Sequence, residues 1–146
     1  MRILIVACHE GLLSALEALL EDEKGLTVAG RSSEVETVLA LVSQQDPDLV
    51  LLDWDQLFGE HPGLLPALKK IRPKLGVVAL SVRPEAGSRA LAAGADAFIC
   101  KCDPPERLVT CLHAFRNMVK GNRGDTIPLS SLGQLRAKSV MSGLST

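Results

Sequence analysis

The stretch PDLVLLDWD, Pro47–Asp55, places an entirely apolar run, Leu49 to Leu52, directly before two acidic residues. The run is continuous rather than alternating, which is typical of a parallel strand that is covered on both faces. Asp53 and Asp55 stand where such a strand ends. The stretch therefore predicts a buried parallel strand with carboxylates at its carboxyl end.

The same kind of apolar run recurs four more times along the chain. These runs are Ile3 to Val6, Leu26 to Ala29, Val77 to Leu80 and Ala97 to Ile99. A segment with helical periodicity follows each run, so the pattern predicts an α/β fold with a five-stranded parallel sheet and helices on both faces. In such sheets the ligand site lies beyond the carboxyl ends of the strands.

The predicted helices have clear signals at several of their ends. They cover Leu12 to Leu20, Val35 to Val42, about Pro62 to Ile71, Glu85 to Ala93, and a segment that begins near Pro104. Gly25 and Gly94 are placed to end the first and the fourth of them, because glycine readily adopts the left-handed conformation found after helices.

Composition excludes several classes of function. Sixteen basic residues against seventeen acidic ones give a net charge of -1, which offers no overall field for nucleic acid or an anionic membrane. The apolar run after Met1 is too short for a signal peptide, and no segment approaches the ~20 apolar residues of a membrane span. Four cysteines show no paired framework, so we expect reduced thiols in a cytoplasmic protein.

Polar and reactive side chains follow four of the five predicted strands. They are Cys8, His9 and Glu10 after the first strand, Asp53 and Asp55 after the third, Ser81 after the fourth, and Lys101 and Cys102 after the fifth. Because the carboxyl ends of parallel strands meet at one edge of the sheet, we expect a carboxylate, a hydroxyl and an ammonium group to converge there.

Four blocks of sequence, in this order and at this spacing, resemble a bacterial response-regulator receiver domain. The blocks are ILIVACHEGLLSALEALL, PDLVLLDWD, VVALS and AGADAFICK. The resemblance covers about four-fifths of the chain, from Met1 to about Lys120. It implies a flavodoxin-like sheet with strand order 2-1-3-4-5 and a cytoplasmic, non-enzymatic module of two-component phosphorelay signal transduction.

The resemblance also implies a role for four residues. Asp53 would accept the phosphoryl group, because a carboxylate can attack phosphorus and form an acyl phosphate. Ser81 would hydrogen-bond a phosphoryl oxygen, Lys101 would offset the phosphoryl charge, and Phe98 stands where the family has a switching aromatic residue. The simpler alternatives are a helix-capping carboxylate, a turn serine, a solvated lysine and an ordinary core phenylalanine.

The chain departs from the family at the end of the first strand. Family members have two adjacent acids there, which hold magnesium together with the acceptor aspartate and a backbone carbonyl two residues beyond it. Here Ala7 and Cys8 occupy these positions, and neither suits a hard cation that prefers oxygen ligands. The sequence therefore predicts no confident metal site and no cofactor, with magnesium binding weakened or lost.

Two other carboxylates, those of Glu10 and Asp55, are candidates to replace the missing acids. The preferred alternative is that Glu10 begins the first helix, where its charge suits the helix dipole, and that Asp55 faces water. Without acids that compete for it, the Lys101 ammonium should pair with Asp53.

The cysteines allow a soft-metal or redox interpretation, which the spacing disfavours. Cys8, His9, Cys100 and Cys102 lack the close paired spacing of zinc ligands, and Cys100 should point away from its neighbour Lys101. Cys8 is either a reactive thiol near Lys101 or a small buried thiol that fills the pocket, and the second is preferred.

Residues 1–120 are predicted to form the receiver-like domain, and residues 121–146 a Ser-rich tail or linker. That tail either is disordered, or docks on the domain or an interface, or is cut before an output domain. About 25 residues cannot form the packed core of a helix-turn-helix, so we expect no DNA binding by this chain alone.

The predicted function is a divergent receiver that acts through protein contacts, with weak or no magnesium-dependent phosphorylation at Asp53. Its partner is a histidine kinase or another signalling protein. A partner or a second copy would bind the face of the fourth helix, fifth strand and fifth helix. One alternative is a conventional receiver that a histidine kinase phosphorylates. Another is a small flavodoxin-like or phosphate-binding enzyme, which is disfavoured because no strand-to-helix turn has a Gly-rich phosphate loop.

Overall fold

The computed structural model describes residues 1–7, 9–57 and 63–121. Five strands form one parallel sheet: β1 (Arg2–Val6), β2 (Thr27–Ser32), β3 (Leu49–Asp53), β4 (Gly76–Ser81) and β5 (Ala97–Cys100). Their order is β2-β1-β3-β4-β5, which confirms the order implied by the resemblance. β2 runs beyond the predicted Ala29, because residues as far as Ser32 pair with β1.

In the part of the chain that the structure describes, five helices of eight or more residues connect and flank the strands. They are α1 (Glu10–Glu21), α2 (Val38–Gln45), α3 (Leu64–Ile71), α4 (Ala86–Ala93) and α5 (Pro105–Gly121). Two shorter pieces complete the described elements, a 3-10 turn at Val35–Thr37 and a one-turn helix at Trp54–Leu57, which we call the short helix. Within the described residues, no helix is both long enough and apolar enough to span a bilayer.

The sheet separates two hydrophobic cores, because successive residues of each strand point to opposite faces. One core joins the strands to leucines of α1 and to α5 side chains such as Leu112 and Phe115. The other joins the alternate strand residues to α2, α3 and α4, and it includes Phe98 and Cys100. Helices therefore cover both faces, as the continuous apolar strands predict.

Of the two glycines predicted to end helices, one does so and the other does not. α4 ends at Ala93, and Gly94 follows with φ +120°, as predicted. α1 ends at Glu21, four residues before Gly25, which instead takes φ +84° in the turn that leads into β2. The predicted start of α3 near Pro62, the position of Cys8 and residues 122–146 of the predicted tail lie outside the described residues.

Candidate functional site

Three neighbouring strands bring the candidate residues to one edge of the sheet. Asp53 is the last residue of β3, Ser81 is the last residue of β4, and Lys101 directly follows β5. β4 lies between β3 and β5, and all three strands are parallel. The three side chains therefore leave the same end of the sheet, as the sequence predicts.

Asp53 and Lys101 form a direct ion pair. The Lys101 ammonium Nζ donates to Asp53 Oδ1 at 2.8 Å, and the Asp53 side chain is only 3% exposed. The backbone N–H of Asp55 donates to the same oxygen at 3.1 Å. The predicted pairing of these two side chains is confirmed, and it supplies the counter-charge that a buried carboxylate needs.

Asp55 takes part in the site, so the prediction that it faces water is wrong. Its Oδ1 accepts a hydrogen bond of 2.5 Å from the Ser81 hydroxyl. Its Oδ2 accepts one of 3.0 Å from the Val82 N–H and one of 3.1 Å from Lys101 Nζ. The cause is the short helix, which begins immediately after Asp53 and turns residue 55 back over the ends of β3 and β4.

The two loops that carry Ser81 and Lys101 are tied to each other. Ser81 is fully buried, and its hydroxyl accepts the N–H of Arg83 at 3.0 Å while it donates to Asp55. The backbone N–H of Lys101 donates to the Ser81 carbonyl oxygen at 2.7 Å. We call Asp53, Asp55, Ser81 and Lys101 the carboxylate-lysine network, in which one ammonium group contacts two carboxylates.

The network shifts the titration of two of its members. Burial by itself raises the pKa of Asp55, but hydrogen bonds from Ser81, Val82 and Lys101 outweigh it and lower that pKa below its ordinary value. Burial by itself lowers the pKa of Lys101, but the bonds to Asp53 and Asp55 outweigh it and raise that pKa. Both shifts favour the charged forms of Asp55 and Lys101 near neutral pH.

The Asp55→Asn variant should reveal this shift as a change in acid stability. Because folding lowers the Asp55 pKa, its carboxylate stabilises the folded chain above the ordinary value of 3.8, and this contribution is lost as the pH falls through the lower folded value. We expect urea denaturation to show wild type more stable than the variant near pH 7, with a gap that shrinks below about pH 3.8. A gap that stays constant down to about pH 3 would contradict the assignment.

Comparison with known proteins agrees with the resemblance seen in the sequence. Residues 3–113 match the family described as the response regulator receiver domain. The chain belongs to this receiver family. It is 33% identical over 118 residues to the nitrate/nitrite response regulator protein NarL of Escherichia coli K12, a match that covers 76% of this chain and 52% of NarL. It is 26% identical over 121 residues to the transcriptional regulatory protein DesR of Bacillus subtilis, which covers 83% of this chain and 59% of DesR.

Solved receiver structures share the fold. The isolated REC domain of RcsB from Salmonella enterica serovar Typhimurium superimposes with a TM-score of 0.70 at 19% identity, covering 90% of this chain and 96% of that one. That structure was determined in the presence of the phosphomimetic BeF3-. At this identity the match concerns the fold alone. The chain spans little more than half the length of the curated relatives it matches.

The end of β1 does not supply the acids that receivers use for magnesium. Ala7 is buried in the core under α1 and α5 and offers no side-chain oxygen, and Cys8 lies outside the described residues. Glu10 begins α1, as preferred above, and its 71%-exposed carboxylate pairs with Arg31 Nη1 at 3.2 Å. Glu10 therefore does not replace the missing acids.

The remaining oxygen donors fit a magnesium ion poorly. Asp53 and Asp55 already share the Lys101 ammonium, whose positive charge lies where a cation bound by both carboxylates would be repelled. Among the residues that the structure describes, no cluster of three or more His, Cys, Asp or Glu side chains is arranged to hold a metal. The described donors do not provide the octahedral oxygen set that magnesium requires.

Phe98, the predicted switching residue, lies inside the core. It is 5% exposed and belongs to the core shared with α4, where its ring packs on Gly87 so closely that a Cβ there would be 2.9 Å from Phe98 Cδ1. This position agrees with an ordinary core phenylalanine, and a switching role stays a prediction.

Proposed function

We propose that this chain is a cytoplasmic, non-enzymatic receiver module of two-component signalling that acts through protein contacts, with weak or no magnesium-dependent phosphorylation at Asp53. Its membership of the receiver family supports the signalling role. The proposal of weak or no phosphorylation rests on the position of Asp55, whose carboxylate accepts the hydrogen bonds that the donors of the site can make.

The donors that a phosphoryl group on Asp53 would need are already in use. The resemblance assigns the phosphoryl oxygens to Ser81 and Lys101, and both donate to Asp55, as does the Val82 N–H. An incoming phosphoryl group would have to displace the Asp55 carboxylate from these donors. Until it did so, two like charges at about 4 Å would repel each other by roughly 4 kcal/mol at an effective dielectric constant of ~20.

The site has little positive charge left to stabilise a transferred phosphoryl group. Phosphoryl transfer is catalysed mainly by positioning and by stabilising the charge on the transferred oxygens. Here one ammonium, that of Lys101, already balances two carboxylates. Because each 1.36 kcal/mol of lost stabilisation slows a reaction about tenfold, transfer to Asp53 should be slower by several orders of magnitude than at a site that holds a dication.

We further propose that the carboxylate-lysine network holds the module in one conformation, which a partner reads at the face formed by α4, β5 and α5. Lys101 joins this face to the network, because it follows β5 directly and its side chain reaches the end of β3. A signalling protein or a second copy of the chain would bind there. Conformational control would then come from binding rather than from phosphate.

A second candidate is a conventional receiver that a histidine kinase phosphorylates at Asp53. The observation in its favour is that Asp53, Ser81 and Lys101 are all present and joined in one network. In this case Asp55 would leave its donors when the phosphoryl group arrives.

The deciding experiment is intact-mass spectrometry after incubation with acetyl phosphate, a small acyl phosphate, with and without magnesium. The Asp53→Asn variant is the control for the acceptor. For wild type we expect no phosphate adduct above that of the control under either condition. A magnesium-dependent adduct in wild type that disappears in Asp53→Asn would overturn the proposal and establish the conventional receiver.

A further inference from the structure

Two thiols flank the lysine of the network in a tight turn. β5 ends at Cys100, and the N–H of Asp103 donates to the Cys100 carbonyl oxygen at 2.9 Å. This bond from a residue to the third one after it defines a β-turn whose central residues are Lys101 and Cys102. The chain is therefore folded back at the point where the two cysteines stand on either side of Lys101.

Both thiols converge on a single acceptor. Cys100 Sγ and Cys102 Sγ each donate to the carbonyl oxygen of Val82, in the loop after β4, at a sulfur–oxygen distance of 3.8 Å. In an extended strand, residues two apart are separated by about 6.6 Å, which is near the upper end of the ~4.4–6.8 Å that a disulfide tolerates between Cα atoms. The turn shortens this separation, so the pair lies within reach of a bond.

The two thiols differ in their surroundings. Cys102 is exposed, whereas Cys100 is 4% exposed and belongs to the core under α4. Burial raises the pKa of the Cys100 thiol; the Cys102 N–H partly offsets this, and the Cys102 thiol adds to the rise. Since thiolates are the nucleophiles in thiol exchange, the exposed Cys102 should react first and the buried Cys100 second.

We propose that Cys100 and Cys102 form a dithiol site that low-molecular-weight disulfides oxidise to an intramolecular disulfide. The Cys102 thiolate attacks one sulfur of the small disulfide, which gives a mixed disulfide and releases one small thiolate. The Cys100 thiol then loses its proton to solvent and attacks the Cys102 sulfur, which releases the second small thiolate. Two protein thiols and one small disulfide thus become one protein disulfide and two small thiols, so the electrons balance.

The site would link oxidation to the carboxylate-lysine network. Lys101 lies between the two cysteines in the sequence; its N–H donates to the Ser81 carbonyl, and its Nζ donates to Asp53 and Asp55. Closing the bond would constrain the turn and, with it, the backbone of Lys101. This inference does not depend on whether Asp53 accepts phosphate.

The test is to incubate the folded chain with oxidised glutathione, block the remaining thiols with N-ethylmaleimide and digest with trypsin without reduction. Trypsin cleaves after Arg89, Lys101 and Arg107, which places the two cysteines on the separate peptides ALAAGADAFICK and CDPPER. We expect these peptides to be recovered joined by a disulfide, from an intact chain that has lost two hydrogen atoms.

Matched variants make the outcome decisive. The Cys100→Ser variant should stop at a stable glutathione adduct on Cys102, and the Cys111→Ala variant, which removes the buried thiol of α5, should form the linked peptides as wild type does. Phenylarsine oxide, which binds two close thiols, should give a one-to-one adduct with wild type and none with Cys102→Ser, a change at an exposed position. A lasting glutathione adduct on wild-type Cys102, or a disulfide that includes Cys8 or Cys111, would overturn the proposal.

Discussion

Replacing Lys101 by methionine is expected to lower the free energy of unfolding by about 3 kcal/mol, because it leaves the buried carboxylate of Asp53 without a counter-charge. The Asp53 side chain is only 3% exposed, so its carboxylate is largely shielded from solvent. Methionine keeps much of the length of the lysine side chain, and the loss therefore reports charge rather than a cavity. Urea denaturation near pH 7 measures it.

Neutralising Asp53 in the Lys101→Met chain should recover part of the lost free energy of unfolding. In the double variant Lys101→Met/Asp53→Asn the charge of the buried Asp53 is gone, and only the Asp55 carboxylate, which is 24% exposed, lacks its ammonium partner. We therefore expect the double variant to be more stable than Lys101→Met alone by about 1 kcal/mol or more. Lys74→Met, at an exposed lysine, serves as the control and should change stability by less than about 0.5 kcal/mol. If Asp53→Asn destabilises the Lys101→Met chain further, the pair does not act through charge.

The contact between Asp53 and Lys101 could be predicted from the sequence because both follow strands. Strand order and the parallel direction place the two residues at the same edge of the sheet, and the absence of acids at Ala7 and Cys8 leaves Asp53 as the nearest charge. These are properties of topology, which the apolar runs determine well. The geometry of the pair then follows from the length of a lysine side chain.

The position of Asp55 could not be predicted in the same way. Its direction depends on where the chain leaves β3, and a strand that continued past Asp53 would place residue 55 differently from the short helix that forms there. A four-residue helix leaves almost no periodic signal in a sequence. The sequence signal was the Asp-x-Asp spacing after β3 together with the serine at the end of β4. It indicates that these side chains are close together, but not that Asp55 accepts a hydrogen bond from Ser81.

The closeness of the Cys100 and Cys102 thiols also could not be predicted, because it depends on the geometry of a turn. The alternation of a strand correctly directs Cys100 into the core while Lys101 reaches the site. It says nothing of Cys102, because the turn from Cys100 to Asp103 replaces the extended strand at that point. Strand interiors are thus predicted well by pattern, and the residues just after a strand depend on turn geometry.

Placing one acid after β1 and neutralising Asp55 should together create a phosphorylatable site. We expect the Cys8→Asp/Asp55→Asn variant to be phosphorylated by acetyl phosphate in the presence of magnesium at least about 100-fold faster than wild type. Asp55→Asn removes the charge that competes for Ser81, the Val82 N–H and Lys101. Cys8→Asp adds an oxygen ligand at a position where the family has an acid. Charge stabilisation of about 3 kcal/mol by a bound cation corresponds to roughly this factor in rate.

The separate contributions can be resolved with single variants and a change of metal. Asp55→Asn alone should gain a smaller rate that does not depend on magnesium, because it replaces a charged acceptor by a neutral amide that holds the donors less strongly, without adding a metal ligand. Cys8→Asp alone should gain little, because Asp55 still occupies the donors. Asp53→Asn in the double variant should abolish the adduct, and Asp46→Asn, at an exposed residue, should have no effect. If Cys8→Asp alone reached the rate of the double variant, the missing acid would be the whole deficit, and the carboxylate of Asp55 would not be what keeps phosphate out.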